Sequence, residues 1–219
     1  MTVRHIMICG LDEAGRGPMV GPLVVGAVWC EDPERLRDIG VKDSKKLTPL
    51  QRERLYDRIA ETADHWEVVP ISAADLDDAM TRNNLNEIEM SLFARAIGMH
   101  PCDIVQVDCP EVNTDRFGNI LSQMAGGVTV DARNKADVVF PAVSAASIMA
   151  KVTRDRIIEE IKQEIGLDVG SGYPSDPATK AFVENWINEH RTLPPHTRGS
   201  WKPVKDLMAR KRTMTLDDW

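Results

Sequence analysis

The chain has no apolar run approaching the roughly 20 residues that a membrane-spanning helix needs. It also shows no secretory leader pattern. Arg4 and His5 are followed only by the short run Ile6-Met7-Ile8-Cys9, and then by acids. An intracellular, cytoplasmic location is expected, with no membrane partner. Cysteine is scarce: the four residues Cys9, Cys30, Cys102 and Cys109 include no Cys-x-x-Cys pair. That spacing argues against zinc and for reduced, mostly buried thiols. No heptad or longer repeat is present. The Gly-Lys-Ser/Thr ending of a phosphate-cradling P-loop is absent from the glycine-rich residues 10–17. Basic charge is also in deficit. Against 27 Lys and Arg stand 34 Asp and Glu, a net charge of −7. This excludes a broadly basic nucleic-acid coat but not a locally basic groove beside an acidic site. Cations do gather locally, at Lys42, Lys45 and Lys46 and again at Arg198, Lys202, Lys205, Arg210, Lys211 and Arg212. Each group also reads as a solvated helix face.

The most informative segment is Gly10-Leu-Asp-Glu-Ala-Gly-Arg-Gly-Pro18, directly after the first apolar run. Asp12 and Glu13 sit at the end of an expected strand over residues 3–9. Gly15-Arg16-Gly17 then forms a glycine-framed loop where a backbone can approach a ligand. Adjacent carboxylates suit a hard divalent cation. Taken alone, the segment also reads as a tight turn with a solvated acidic pair.

A second strand is expected over 22–30. Thr48-Pro49-Leu50-Gln51 has the form of a capping box with proline at the first helical position, opening a helix to about residue 63. Further strands are expected over 66–71, 104–108 and 127–132. Helices are expected over 73–80, 85–98, 114–124, 144–165, 177–189 and 203–211. Strands first, then strand–helix alternation, describe an α/β fold, a mixed sheet flanked by helices. The expected organisation is a core over 1–165, a small C-terminal helical lobe over 166–212 packed on it, and a short tail over 213–219.

Asp108 closes the strand Ile104-Val105-Gln106-Val107, and Asp137 lies just before the long helix. Acids at the carboxyl ends of central strands gather where ligands bind in open sheets. If Asp12, Glu13, Asp108 and Asp137 converge, divalent metal is the natural compensation for their repulsion. On the long helix, Ser144, Ser147, Lys151 and Arg154 fall along one face, suited to a phosphodiester backbone or simply to solvent. Tyr173, one of two tyrosines, sits in the loop Gly170-Ser-Gly-Tyr-Pro-Ser-Asp-Pro177. There it can stack on a sugar or base, or plug a satellite core.

Several motifs now occur in order: Gly10–Pro18, Asp43-Ser-Lys-Lys-Leu47, Lys135-Ala-Asp137, Ser144-Ala-Ala-Ser-Ile148, Ala150-Lys-Val-Thr-Arg-Asp155 and Gly172-Tyr-Pro-Ser-Asp176. Together they resemble type 2 ribonuclease H, the ribonuclease HII family, over residues 6 to 202. Lys135-Ala-Asp137 and His196-Thr-Arg-Gly-Ser-Trp201 look most like archaeal members. The resemblance implies a ribonuclease H-like fold with a C-terminal helical lobe. It implies an endoribonuclease that cleaves the RNA strand of RNA–DNA hybrids and single ribonucleotides embedded in duplex DNA, in DNA replication and repair.

Carried over by motif, Asp12, Glu13, Asp108 and Asp137 are the catalytic, metal-binding acids for two Mg²⁺ or Mn²⁺ ions, with Asp103 and Glu111 as alternatives to Asp108. An activated water would attack phosphorus in line, leaving 5′-phosphate and 3′-hydroxyl ends. Gly15, Arg16 and Gly17 resemble the loop that reads the ribose 2′-hydroxyl. Tyr173 resembles the tyrosine that packs beside the scissile junction. Lys45, Ser144, Ser147 and Lys151 complete the expected substrate contacts. A monomer is implied. A DNA-directed nuclease of the same fold would share the acids without needing the 2′-hydroxyl reader, and a non-catalytic binder would do better without four acids. In the tail, Leu216 and Trp219 have the one-turn spacing of pocket anchors. They resemble, in degenerate form, the motif by which replication proteins bind a sliding clamp.

Overall fold

The structure is a computed structural model that describes residues 6–42, 44 and 47–214, the last four through their backbone only. Lys45, Leu216 and Trp219 lie outside the described residues. Elements follow in the order β1 (Ile8–Ala14), β2 (Leu23–Cys30), α1 (Glu34–Asp38), α2 (Pro49–Thr62), β3 (His65–Ile71), α3 (Ala73–Ala79) and α4 (Leu85–Ile97). Then come β4 (Ile104–Asp108), α5 (Thr114–Met124), β5 (Thr129–Arg133), α6 (Ala136–Val139), α7 (Pro141–Ile165), α8 (Pro177–His190) and α9 (Lys202–Met214).

The described residues form two compact units. The first comprises residues up to Ala14, 24–70 and 84–153; the second comprises 15–23, 71–83 and Arg154 onward. The expected boundary after residue 165 is therefore displaced. The reason is apolar: Ile158 and Ile161 share a cluster with Met19, Val20, Val169, Phe182, Val183, Ile187 and Val204. The end of α7 and the loop after β1 thus join the C-terminal helices in one core.

In the first unit the five strands form one sheet in the order β3-β2-β1-β4-β5. β1 runs antiparallel to β2 and parallel to β4, and β4 runs parallel to β5. Pairing with β4 as far as Leu11 and with β2 as far as Ala14 extends β1 beyond the expected residues 3–9, so that Asp12 and Glu13 lie within the strand. Two glycines on one face of the sheet admit α7 very closely. Gly10 would drive a Cβ into the Ala142 carbonyl, and Gly26, opposite Asp12 in the ladder, would drive one into the Ala146 carbonyl. Backbone contact of this kind needs glycine on the sheet and small residues on the helix. The run Val143-Ser-Ala-Ala-Ser147 supplies the latter. Ala142, Ala145, Ala146 and Met149 pack with Val28, Leu36, Leu55 and Ile59 in the core of this unit.

α2 opens as expected. Thr48 Oγ1 accepts from Gln51 N at 3.3 Å while Gln51 Oε1 accepts from Thr48 N at 2.8 Å, and Pro49 stands at the first helical position. The short helices α1 and α6 were not expected. At four or five residues each, they carry no usable periodicity.

Candidate active site

The parallel register of β1 and β4 places Leu11 opposite Val107. The next residues, Asp12 and Asp108, therefore stand side by side, Asp108 as the last residue of β4 and Asp12 two residues before the end of β1. Asp12 is 6% exposed. Its pKa lies well above the usual carboxylate range, first because burial disfavours the charge, then because of Glu13 beside it, with Asp108 adding to the effect. Two hydrogen bonds act in the opposite direction. Asp12 Oδ1 accepts from Glu13 N at 2.7 Å, and the Ser147 hydroxyl bonds the same carboxylate. Ser147 is buried and its Oγ lies 3.0 Å from the buried Ser44 Oγ. The face of α7 that looked like a wet stripe is thus turned inward at Ser144, Ser147 and Arg154, all buried; Lys151 is half-buried.

Asp108 Oδ1 accepts from Ala136 N at 2.6 Å. This bond caps the first turn of α6 with a carboxylate. It also fixes the backbone one residue before Asp137, which is only 3% exposed. Lys135, in the left-handed conformation at φ 59°, makes the sharp entry that this turn requires. Register sets Asp12 beside Asp108, and one short bond sets Asp108 against the residue before Asp137. The alternatives to Asp108 are engaged elsewhere. Asp103 Oδ2 accepts from Met7 N at 2.9 Å, at the opposite end of β4, and Glu111 Oε1 accepts from Asn86 at 3.1 Å.

The donor set fits a hard divalent ion. All four are carboxylates, and Asp12 can ionise readily in its buried place only with added positive charge nearby. Among the described residues no three His, Cys, Asp or Glu side chains form a ready-made coordinating group.

The second unit contains the loop after β1. Gly15 has φ +89°, and a Cβ there would meet Pro22 O at 2.5 Å and the Arg154 side chain at 2.6 Å. Gly17 is exposed, and its Cβ would meet nothing within 4 Å. Two buried arginines brace this loop. Arg154, 1% exposed, donates to Ser171 O at 3.1 Å and Val20 O at 3.4 Å. Its guanidinium lies 4.8 Å over the Tyr173 ring, so the half-buried tyrosine is stacked on a fixed cation. Arg198, 0% exposed, donates to Gly15 O at 2.7 Å, Gly21 O at 2.9 Å and Arg16 O at 3.3 Å. Burial, then the charge of Arg154, lowers its pKa to about 9, which leaves it a cation at neutral pH. Gly172 at φ +85° fits under this frame and accepts through its carbonyl from Met19 N at 2.7 Å.

The sequence pointed to Arg198 only as part of a cationic cluster and of an aromatic-containing loop. Asp77, which holds that loop, carried no signal: an acid in a short helix rich in acids does not stand out. Ser44, between two of the expected lysines, was likewise not singled out.

The profile of the family Ribonuclease HII matches residues 9–204. Ribonuclease HII of Pyrococcus abyssi is 44% identical, over 97% of this chain and 96% of its own. The crystal structure of ribonuclease H2 from Pyrococcus horikoshii OT3 superposes with a TM-score of 0.88 at 40% identity, covering 94% of this chain and 99% of that one. Ribonuclease HII of Archaeoglobus fulgidus, solved as a complex with PCNA, matches with a TM-score of 0.85 at 43% identity, over 90% and 96% of the two chains. Bst-RNase HIII in complex with Mn²⁺ shares the fold at a TM-score of 0.78 and 20% identity, over 97% of this chain and 72% of that one. With a mixed five-stranded sheet and matches of this extent, the chain belongs to the ribonuclease HII family and is an endonuclease of the ribonuclease H class.

Proposed function

We propose that this chain cleaves the RNA strand of RNA–DNA hybrids and also cuts at single ribonucleotides embedded in duplex DNA, leaving 5′-phosphate and 3′-hydroxyl ends. The observation that carries the reading is the β1–β4 register that sets Asp12 beside Asp108, with Asp108 bonding the amide that precedes Asp137. Asp12, Glu13, Asp108 and Asp137 are the residues that would hold two Mg²⁺ or Mn²⁺ ions. A fold relative solved with Mn²⁺ supports the choice of ion. Bound divalent ions supply an activated water at neutral pH and neutralise charge that builds on the phosphate. The chain's own part is to hold the acids in place. Ser147 orients Asp12, the Ala136 amide orients Asp108, and α7, pressed onto Gly10 and Gly26, keeps both from moving.

Sugar discrimination falls to Gly15-Arg16-Gly17, through backbone amides directed at the 2′-hydroxyl, the group that separates RNA from DNA. The open space at Gly17 supports this, because no described residue lies where a side chain there would stand. Tyr173 stacks at the sugar beside the cut. Ser147 acts from behind Asp12, Ser144 is buried beside it on α7, and half-buried Lys151 remains a proposed strand contact. Lys45 remains a proposed strand contact outside the described residues.

The deciding experiment is cleavage of a DNA duplex carrying one ribonucleotide, beside an all-DNA duplex and a long hybrid, with Mg²⁺, Mn²⁺ or EDTA. Cutting confined to the ribonucleotide-bearing substrates, dependent on metal and yielding 3′-hydroxyl ends, is expected. Cutting of the all-DNA duplex would refute the sugar-reading assignment. The enzyme works as a cytoplasmic monomer in this reading, in replication and repair. A clamp partner is supported by the relative solved with PCNA, and Leu216 and Trp219 are the residues proposed to meet it.

A further inference from the structure

We infer that Arg198 is a positioning residue for sugar selectivity, which it governs by fixing the direction of the Arg16 and Gly17 amides. The inference rests on the reading of Gly15-Arg16-Gly17 as the ribose sensor and assigns the part that makes this loop selective. A fully buried guanidinium is costly, and a second buried arginine beside it raises that cost. Its donors reveal what the site gains. Nη2, Nη1 and Nε are all directed at main-chain carbonyls, of Gly15, Arg16 and Gly21, which bracket the loop. In a trans peptide the carbonyl and the following N–H point in opposite directions, and the chain has no cis peptide among its described residues. Drawing the Gly15 carbonyl inward therefore turns the Arg16 N–H outward. Drawing the Arg16 carbonyl inward does the same for the Gly17 N–H. Two successive amides then face away from Arg198, beside a Gly17 that presents open space where a side chain would stand. Paired amides of this kind fit one electronegative oxygen of a ligand, here the 2′-oxygen of a ribose.

Arg198 is itself held from the other side. Asp77 accepts from Gly199 N at 2.6 Å and Ser200 N at 3.1 Å, and bonds the Ser200 hydroxyl. The Trp201 ring packs 4.7 Å from the guanidinium. The line of control runs from Asp77 through the Arg198–Trp201 loop to two carbonyls and so to two amides. Lysine cannot substitute, because a single ammonium does not reproduce three bonds from a rigid planar fork.

The test compares affinity for two DNA duplexes that differ by one 2′-hydroxyl, one carrying a single ribonucleotide and one all-DNA, measured in EDTA so that neither is cut. The parental protein should prefer the first. Arg198→Lys, which keeps the charge and most of the stem, should reduce that preference by about tenfold, the scale of one well-placed hydrogen bond, and leave all-DNA affinity unchanged. A merely structural role would weaken both duplexes together. Preference retained by a folded Arg198→Lys protein overturns the inference. Where Arg198→Lys fails to fold, Asp77→Asn carries the same test with a smaller loss, and full preference in that variant overturns it equally. If the parental protein itself shows no preference, the sugar-sensor reading fails first and the role of Arg198 falls with it.

Discussion

Asp108 Oδ1 lies 2.6 Å from the amide nitrogen of Ala136, so the acid that ends β4 also sets the backbone on which buried Asp137 is carried. In the proposed reading the four acids act as a single unit. Asp12→Asn, Glu13→Gln, Asp108→Asn and Asp137→Asn should each lower cleavage by about a thousandfold or more, since bound metal supplies several kcal/mol of transition-state stabilisation. Double variants should be little worse than single ones. Asp103→Asn and Glu111→Gln should cleave at close to the parental rate. Single-turnover assays at saturating enzyme check all six, and an active Asp108→Asn would remove that residue from the set.

The same cluster should make metal-free protein sensitive to pH in a particular direction. Asp12 has its folded pKa raised, by burial first and by Glu13 next. A raised carboxyl pKa means that the folded state holds the proton more tightly than the unfolded chain does. Stability from this group is then full below the unfolded pKa and is lost as pH rises through the folded one. In EDTA the parental chain should therefore melt lower as pH rises above the ordinary carboxylate range. Asp12→Asn should flatten that slope and melt higher at neutral pH. Melting curves across pH, with and without divalent ion, decide the point; a steeper slope in Asp12→Asn would contradict it.

Much of this site was legible in the sequence, for physical reasons that differ from residue to residue. Asp108 was marked by its place at the end of a short apolar strand. The capping box at Thr48 reads directly, because both of its bonds are local. β1 was placed too early, because the ladder partners that extend it, β2 and β4, are distant in sequence. The inward turn of Ser144 and Ser147 was hidden for the same reason. A helix face is wet or dry according to what covers it, and here Gly10 and Gly26 let the sheet cover it. Asp77 and Arg198 were beyond reach because their roles are bonds to backbone 122 and 183 residues away.

The glycines divide into two groups with opposite readouts. Gly10→Ala and Gly26→Ala press a Cβ into the α7 backbone and should destabilise the fold by ~1–3 kcal/mol or more, as overpacking does,. Gly17→Ala has open space and should leave the melting temperature almost unchanged while reducing cleavage. Thermal melting and cleavage of a one-ribonucleotide duplex, measured on the same preparations, separate the two groups. A Gly17→Ala protein of parental activity would show that the sugar does not approach there.

The clamp reading is tested by truncation. Removing residues 213–219 should leave cleavage of free substrate unchanged and abolish capture of the chain by an immobilised sliding clamp. Leu216→Ala with Trp219→Ala should do the same if these are the pocket anchors. Undiminished capture by the truncated chain would locate any clamp contact elsewhere.

Tyr173 rests on the Arg154 guanidinium, 4.8 Å from its ring centre, and this contact separates its two possible roles. A tyrosine kept for the fold would owe its value to the cation–π contact and to burial, and its loss would show in stability. A tyrosine kept for the sugar would owe its value to the ring face turned to the ligand, with Arg154 holding the ring in place. Tyr173→Phe preserves the ring in either role and should cleave at close to the parental rate. Tyr173→Ala should lower cleavage at a single embedded ribonucleotide by about 10- to 100-fold, the equivalent of the ~1–3 kcal/mol that stacking on one base or sugar supplies. The loss should be smaller on a long hybrid, where many registers can be sampled and the enzyme need not recognise one junction. Rates on the two substrates, read beside the melting temperature, decide between the roles. A Tyr173→Ala protein that melts lower but cuts both substrates in the parental ratio would assign the ring to the fold alone.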